Sequence, residues 1–310
     1  MSSGFAPSPE KERVQNTLWI PAIRDVHRRL GRIPLRVLTL PGRRCAMLIK
    51  LLSRRYTRLA DVTCVERSAA EALLIRGRLE EHGESSGRVP IDLFQGSLYE
   101  YLTLPDRRAV ARRFQVVDID AYGHLEDESG EVLRSTQAAI DVQARADVSE
   151  WLLLLTTEAA SARGSIIVGL TNAEERLKAE YEAVLHRTLP PSLLDDVSPP
   201  TRLIRYAACV GACIAHCAFP MFEAKVARPP FFYRGTDLYG QPGKRALMGA
   251  FPFLLRRPRA PLHGLGESAR RAQCERLMNA CVTKCAGAKA VISDSEGNTS
   301  ATELGNLRFE

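Results

Sequence analysis

Long hydrophobic runs are missing from this chain of 310 residues, and their absence argues against a membrane protein. The longest weakly polar run, Tyr206 to Phe222, carries His216 and Pro220 and is rich in Ala and Cys. Residues 1–13 are polar and lack the apolar core of a signal peptide. We therefore expect a buried helix over the long run, no membrane partner and a cytoplasmic location.

Several catalytic and metal-binding signatures are also missing: there is no P-loop, no Ser-His-Asp pattern, no HExxH pair and no CxxC knuckle. Most of the eight cysteines form two helical stripes, which are Cys209, Cys213 and Cys217, with His216 beside them, and Cys274, Cys281 and Cys285. Packed together, the stripes could supply ligands to zinc or a cluster. Cysteine is also a small apolar residue that permits close helix packing, and we favour this interpretation and predict no metal.

Basic residues outnumber acidic ones by 43 to 36, giving a net charge of +7. Arginine predominates and is concentrated near the N-terminus, at Arg24, Arg28, Arg29, Arg32, Arg36, Arg43, Arg44, Arg54, Arg55 and Arg58. Because the planar guanidinium donates two parallel hydrogen bonds to a phosphate, an Arg-rich surface predicts RNA or DNA as a partner. Ordinary solvated helix faces explain the same composition equally well.

Apolar strand candidates alternate with helical segments from residue 35 onward. Five of them precede residue 158, at Leu35–Leu40, Asp61–Arg67, Val89–Gln95, 114–123 and Glu150–Thr157. Phe231–Arg234 and Ala246–Leu255 are two more, joined by a Gly/Pro-rich loop. The succession predicts an α/β fold with a doubly wound, mostly parallel sheet and helices on both faces.

The predicted domain organisation places one large α/β domain between two less ordered ends. Apolar residues at helical spacing predict an amphipathic helix over Asn16–Leu30. We predict a flexible lead over 1–15, the α/β domain over 16–256 with a helical insertion at 172–200, a C-terminal helix within 257–290 and a loose tail over 291–310.

Residues 114–123, Phe-Gln-Val-Val-Asp-Ile-Asp-Ala-Tyr-Gly, form the most informative stretch. Four apolar residues predict a buried strand, and Asp118 and Asp120 end the run just before a Tyr-Gly turn. In open α/β sheets, ligands bind at the carboxyl edge of the strands. The stretch therefore predicts a site at that edge.

Asp120, a small residue and then Tyr122-Gly123 resemble the Asp-Pro-Phe/Tyr-Gly motif of class I S-adenosylmethionine-dependent methyltransferases that act on amino groups of bases. Ala121 stands where that family usually has Pro. The resemblance implies a Rossmann-like sheet ending in an antiparallel hairpin, with S-adenosylmethionine as the cofactor. It also implies that Asp120 orients the acceptor amine, Tyr122 stacks on the base and Gly123 permits close approach.

The resemblance also implies a set of cofactor-binding residues: Leu40, Pro41, Gly42, Glu66, Gly96, Ser97 and Asp118. The turn at Leu40–Gly42 would cradle the methionine part, and Ser97 would lie beside the adenine. Glu66 ends the second strand, where a carboxylate can accept both ribose hydroxyls. The alternatives are structural: a solvated Glu66, an Asp120 that caps the following turn, and a Tyr122 that covers the sheet edge.

Three functions follow from these patterns. The first is a methyltransferase acting on an exocyclic amine of a nucleic-acid base. The second is a catalytically eroded protein of the same fold that serves as a basic nucleic-acid-binding or assembly subunit. The third keeps the enzyme and changes the substrate to a protein or a small molecule.

Overall fold

The computed structural model describes residues 9–42, 45–53, 57–86, 89–105, 108–120, 125, 130–160, 175, 181–234, 246–258, 266–285, 289–293 and 299–303. Within these ranges, ten strands form one sheet. The strands are β1 Leu35–Thr39, β2 Leu59–Glu66, β3 Ile91–Gln95, β4 Val116–Asp120, β5 Glu150–Ala160, β6 Glu223–Val226, β7 Phe231–Arg234, β8 Leu247–Arg256, β9 Lys289–Ser293 and β10 Thr299–Glu303.

Helices connect the strands and cover both faces of the sheet. They are α1 Pro9–Val14, α2 Ile20–Arg29, α3 Ala46–Leu52, α4 Ala69–Ser86, α5 Leu98–Thr103, α6 Arg108–Arg112, α7 Glu131–Arg145, α8 181–188, α9 Pro191–Asp195, α10 Pro199–Ala218 and α11 Glu267–Cys285. A π-helical segment, Gln15–Trp19, joins α1 to α2. Among the described residues, no helix is long and apolar enough to cross a membrane.

The sheet runs β10-β9-β7-β8-β5-β4-β1-β2-β3, and β6 pairs with β8 beside this path. The pairings from β3 through β2, β1 and β4 to β5 are all parallel, as expected for strands joined by crossover helices. The chain winds outward from β1 toward β3 on one side, whereas β4 and β5 lie on the other. Ligands of doubly wound sheets bind at such a reversal of strand order, which here lies between β1 and β4.

β8 lies antiparallel between β5 and two short strands. It pairs with β5 over its full length, from Glu150 opposite Arg256 to Ala160 opposite Leu247. Its other edge pairs with β7 in its first half and with β6 in its second half. The antiparallel β7–β8 pair confirms the expected hairpin strands, although the loop between them lies outside the described residues.

Two apolar layers enclose the sheet because successive strand residues point to opposite faces. Val37, Val116 and Leu154 pack toward α2, α3 and α4, whereas Leu38, Val117 and Leu155 pack toward α7, α10 and α11. The mostly parallel α/β sheet with helices on both faces is therefore the fold that the sequence predicts.

Parts of both segments that the sequence predicts to be flexible form regular secondary structure. Helix α1 begins at Pro9, inside the segment expected to be a flexible lead, and Val14 is buried in the core. β9 and β10 form an antiparallel pair inside the segment expected to be a loose tail. Helix α11 buries Cys274, Leu277 and Met278 in the same core as β4 and β5, so it belongs to the α/β domain.

The two cysteine stripes pack against each other along α10 and α11. All eight cysteines are buried thiols, and burial raises the pKa of the Cys274 thiol to about 11. No group of three or more His, Cys, Asp or Glu side chains among the described residues could hold a metal ion. The stripes pack closely against each other in the core, and the absence of a metal stays a prediction.

The contact between α10 and α11 predicts a specific sensitivity at Gly211. A β-carbon there would lie 2.7 Å from Cys281 Sγ and 3.3 Å from the Leu277 carbonyl oxygen. We expect Gly211→Ala to lower the free energy of unfolding by about 1–3 kcal/mol, since a packed interface must shift to accommodate it. Urea denaturation followed by circular dichroism measures the change.

Gly77 on α4 is the matched control, because a β-carbon there meets no atom within 4 Å. Gly77→Ala should leave the stability unchanged or raise it by up to about 1 kcal/mol through helix propensity. Equal effects at the two glycines would contradict the packing assigned to α10 and α11.

Candidate active site

Asp118 and Asp120 lie on one face of β4, two residues apart, and end this central strand. Val116 on the same face lies in the apolar layer under α2 and α3, so the two aspartates continue that face out of the core. In the ladder, Asp118 lies opposite Thr39 of β1, and Asp120 lies opposite Thr156 of β5. The parallel register therefore brings polar side chains from three strands to the carboxyl edge.

Asp118 is almost fully buried, with 3% of its surface exposed. Thr39 Oγ1 lies 2.8 Å from Asp118 Oδ2, while the buried Oδ1 has no hydrogen-bond partner among the described residues. Burial and then the charge of Asp120 raise the pKa of Asp118, against the opposing effects of Thr39 and Lys11. The arrangement favours an uncharged Asp118 near neutral pH.

Asp120 is more accessible, with 16% of its side chain exposed, and it forms an ion pair with Lys11. Lys11 Nζ lies 2.5 Å from Asp120 Oδ2. The sequence does not predict this contact of Lys11, because residues 1–15 are expected to form a flexible lead. Val14 lies four residues before Leu18 and continues the apolar spacing of the predicted helix toward the N-terminus, so it is the signal that would have extended the helix.

The turn after β1 contains Leu40, Pro41 and Gly42. Gly42 adopts a φ of +59°, a left-handed conformation that glycine reaches without strain, and Cys45 N–H donates to its carbonyl oxygen at 3.1 Å. Apart from its chain neighbours, no atom of the described residues would lie within 4 Å of a β-carbon on Gly42, so the described part of the chain leaves space beside the turn. The turn thus stands at the edge that carries Thr39, Asp118 and Asp120.

Glu66 ends β2, as the sequence predicts. Its Oε1 accepts a hydrogen bond from the backbone N–H of Ser68 at 2.8 Å, and its carbonyl oxygen accepts one from Gly96 at 2.9 Å. The bond from Gly96 ties the ends of β2 and β3 together, whereas the bond from Ser68 orients the Glu66 side chain. Because a carboxylate offers about four acceptor positions, the side chain can still accept hydroxyl groups of a ligand.

Ser97 caps α5 and forms a capping box with Glu100. Ser97 Oγ accepts from the Glu100 N–H at 3.1 Å, and the Ser97 N–H donates to Glu100 Oε2 at 2.6 Å. A β-carbon on Gly96 would lie 2.5 Å from the Phe94 ring, so the glycine allows the turn to pack closely. Both residues have structural roles here, and contact with an adenine stays a prediction.

Tyr122 and Gly123 lie outside the described residues. Their assignments, a stacking aromatic and a turn that permits close approach, therefore stay predictions. Asp118 and Asp120, Leu40 to Gly42 and Glu66 are the predicted site residues that the fold brings to the carboxyl edge without giving them a helix-capping role.

Two of the N-terminal arginines, Arg29 and Arg36, and the later Arg112 lie at the opposite edge of the sheet. Arg29 Nε lies 3.4 Å from Glu150 Oε1, at the first residue of β5. Arg36 near the start of β1 pairs with Asp61 at 3.2 Å, and Arg112 pairs with Asp92 at 3.1 Å. These local ion pairs place part of the basic surface at the amino edge, away from Asp120.

The sequence matches no protein-family model and no curated protein. The fold, in contrast, is similar to that of solved methyltransferases. An O-methyltransferase from Bacillus cereus in complex with SAH is 11% identical, covers 83% of this chain and 84% of its own, and gives a TM-score of 0.40.

Two further methyltransferases are comparably similar. Trm1 from Pyrococcus horikoshii with S-adenosyl-L-methionine is 12% identical over 96% of this chain and 64% of its own, with a TM-score of 0.43. A SAM-dependent methyltransferase from Agrobacterium tumefaciens is 13% identical over 78% of this chain and 62% of its own, with a TM-score of 0.37. At these identities and TM-scores, the likeness carries no inference about the substrate, cofactor or activity of this chain.

The buried Asp118 predicts a specific pH dependence of stability. Because its pKa is raised in the folded protein, the folded state holds a proton that the unfolded chain releases above about pH 4. This contribution to stability is present at low pH and is lost as the pH rises through the raised pKa. Asp118→Asn stays uncharged, so its free energy of unfolding should exceed that of the wild type by on the order of 1 kcal/mol at alkaline pH.

Urea denaturation at about pH 5 and about pH 9 measures the free energy of unfolding of Asp118→Asn and of the wild type. The difference between the two proteins should be smaller at about pH 5 than at about pH 9. Asp195→Asn, at an exposed position of α9, is the matched control and should show no such change. A constant difference between Asp118→Asn and the wild type across this range would contradict a buried, protonated Asp118.

Proposed function

We propose that this chain is an S-adenosylmethionine-dependent methyltransferase that acts on an exocyclic amine of a nucleic-acid base. The observation that carries the proposal is the Asp118–Asp120 pair at the carboxyl edge, beside the open Gly42 turn and at the reversal of strand order. The resemblance of Asp120-Ala121-Tyr122-Gly123 to the base-amine motif supports the substrate class, and the Arg-rich composition supports a nucleic-acid partner.

The residues at this edge fit the cofactor in charge and in hydrogen-bonding capacity. Glu66 is an acid whose carboxylate suits the ribose hydroxyls of the cofactor. The buried Asp118 Oδ1 has no partner among the described residues, and the Gly42 turn leaves room for a ligand beside its backbone. Leu40, Pro41, Gly42, Glu66 and Asp118 would therefore hold S-adenosylmethionine.

When bound, S-adenosylmethionine supplies an electrophilic methyl group. The protein then has to orient the acceptor and exclude water, because displacement at a methyl group requires an in-line approach. Asp120 accepts N–H bonds of the acceptor amine and directs its nitrogen lone pair. The uncharged Asp118 limits the negative charge at the end of β4 to Asp120, so Asp120 is the charged acceptor of hydrogen bonds on this strand.

A second candidate is a catalytically eroded protein of the same fold, acting as a basic nucleic-acid-binding or assembly subunit. Two observations favour it: Lys11 already pairs with Asp120, and Ser97 is engaged in the capping box of α5. Cofactor binding separates this candidate from the enzyme. Salt-sensitive binding of RNA or DNA separates a nucleic-acid substrate from a protein or small molecule.

The first functional prediction concerns the cofactor. Calorimetric titration should show that S-adenosylmethionine and its demethylated product bind the wild-type protein. Glu66→Ala should weaken this binding by about 10- to 100-fold, because it removes charged hydrogen bonds to the ribose. Glu80→Ala, at an exposed position of α4, is the control and should bind like the wild type.

Absence of binding at millimolar S-adenosylmethionine would contradict the enzyme and favour the eroded candidate. Unchanged binding by Glu66→Ala would support S-adenosylmethionine as the cofactor but contradict the assignment of Glu66 to the ribose.

The second functional prediction concerns the acceptor. Asp120→Asn should lower methyl transfer from labelled S-adenosylmethionine to a short mixed-sequence RNA or DNA by about 100-fold, since the carboxylate that orients the amine is lost. Cofactor affinity should change little. Asp92→Asn on β3, whose carboxylate pairs with Arg112, is the matched control.

Equal losses of transfer and of cofactor affinity in Asp120→Asn would assign Asp120 to the cofactor site instead. Full transfer by this variant would remove Asp120 from the reaction.

A further inference from the structure

Helix α4 carries apolar residues on two opposite faces. On one face, Ala72, Ile75 and Leu79 are buried, and the latter two belong to the core that α4 shares with α2 and α3. On the other face, Leu73 and Leu74 are 66% and 48% exposed. Because successive residues of an α-helix are rotated by about 100°, the exposed pair lies roughly opposite the buried residues. It is therefore not an extension of the core.

Ala70 and Gly77 extend the exposed pair into a stripe. We call Ala70, Leu73, Leu74 and Gly77 the outer α4 stripe; their spacing of i, i+3, i+4 and i+7 places them on one face over two helical turns. The first three are exposed, and Gly77, which has no side chain, is partly exposed. Two of the four large exposed hydrophobic residues in the described part of the chain thus lie side by side. Exposed apolar residues that are clustered rather than scattered mark an interaction surface.

The position of α4 in the fold makes this stripe accessible to a second molecule. Helix α4 packs on β2 and β3, and β3 is the last strand on its side of the sheet. On the same face of the sheet, α4 contacts α3 on the side of β1. The helix therefore lies at the border of the helical layer, and its outer stripe points away from the core.

The order of residues in the stripe is self-complementary. In an antiparallel pair of α4 helices with a two-fold axis between Leu73 and Leu74, each Leu73 faces Leu74 of the second copy. In the same pairing, each Ala70 faces Gly77 of the second copy. Small residues at these positions let the two helices approach closely, since the distance between helix axes depends on the side chains at the contact. The outer α4 stripe can therefore bury itself against its own copy.

The charged residues beside the stripe fit the same arrangement. Glu71 and Arg76 lie on opposite sides of the stripe, because they are five residues apart on the helix. In the antiparallel pair, each Glu71 lies on the same side as Arg76 of the second copy, so opposite charges meet twice in the dimer. Exposed ion pairs add little affinity, but they select the partner and its orientation. Charge complementarity therefore favours a second copy of this chain as the occupant.

We propose that the outer α4 stripe is the contact surface of a symmetric homodimer in which two α4 helices pack antiparallel. Because the stripe is short, the dimer is transient, and monomer and dimer are both populated at micromolar protein concentrations. Helix α4 carries none of the residues assigned to the cofactor or the acceptor, so the dimer does not depend on the proposed function.

Sedimentation velocity of the full-length protein, at about 1 to 100 μM, tests the dimer. The wild type should shift from monomer toward dimer as the concentration rises. Leu73→Ala should weaken association by about 10- to 100-fold, because the symmetric contact loses two leucine side chains. Its circular dichroism should match the wild type, since Leu73 is exposed in the monomer. Val197→Ala, at a position that is 68% exposed outside the stripe, is the matched control and should associate like the wild type.

Reversal of the charges tests the antiparallel arrangement. Glu71→Arg and Arg76→Glu should each weaken association by about two- to tenfold, because each brings like charges together twice in the dimer. The double variant Glu71→Arg/Arg76→Glu exchanges the two charges and should associate like the wild type.

A wild type that sediments as a monomer at all these concentrations would overturn the homodimer and leave the stripe to a different partner. A dimer that Leu73→Ala does not weaken would also overturn the proposal, because the contact would lie elsewhere. A double variant that associates as weakly as the single variants would overturn the antiparallel arrangement. Failure of the proposed function looks different, since loss of S-adenosylmethionine binding or methyl transfer would leave the sedimentation results unchanged.

Discussion

The parallel pairing of β1 with β4 is the constraint on which the candidate site depends. Their register sets Thr39 directly opposite Asp118, and the hydrogen bond between these side chains lies in a buried environment. A carboxyl group that is removed from water favours its uncharged form, because burial costs the ionised form its hydration. The pairing therefore decides both where the acidic edge lies and how much charge it carries.

The antiparallel strand β8 completes the sheet around that edge. Ala250 of β8 lies opposite Thr156 of β5, and Phe231 of β7 lies opposite Ala250. Together with Asp120, these residues form one row across four strands. The other side chains in this row are small or apolar, so Asp120 is its ionisable residue. A ligand that binds along the row therefore meets a single carboxylate.

The packing of the N-terminal helices decides which side chain contacts Asp120 in this row. The apolar stripe of α2 and the π-helical segment is buried against the sheet, which orients the chain before it and brings Lys11 of α1 to Asp120. The two ends of this helical stretch lie at opposite edges of the sheet. Lys11 pairs with Asp120 at the carboxyl edge, and Arg29 pairs with Glu150 at the start of β5. One helical stretch thus contributes cations to both edges of the sheet.

The sequence by itself determined the succession of strands and helices, the end of β4 at Asp118 and Asp120, and the end of β2 at Glu66. These features are local, since apolar runs, their period and their flanking polar residues lie within short stretches. Only the tertiary structure decided that Thr39 bonds Asp118, that Lys11 pairs with Asp120 and that β9 and β10 join the sheet. Each of these contacts joins residues far apart in the chain, and pairing register and helix packing choose such partners through burial that no single stretch of sequence specifies.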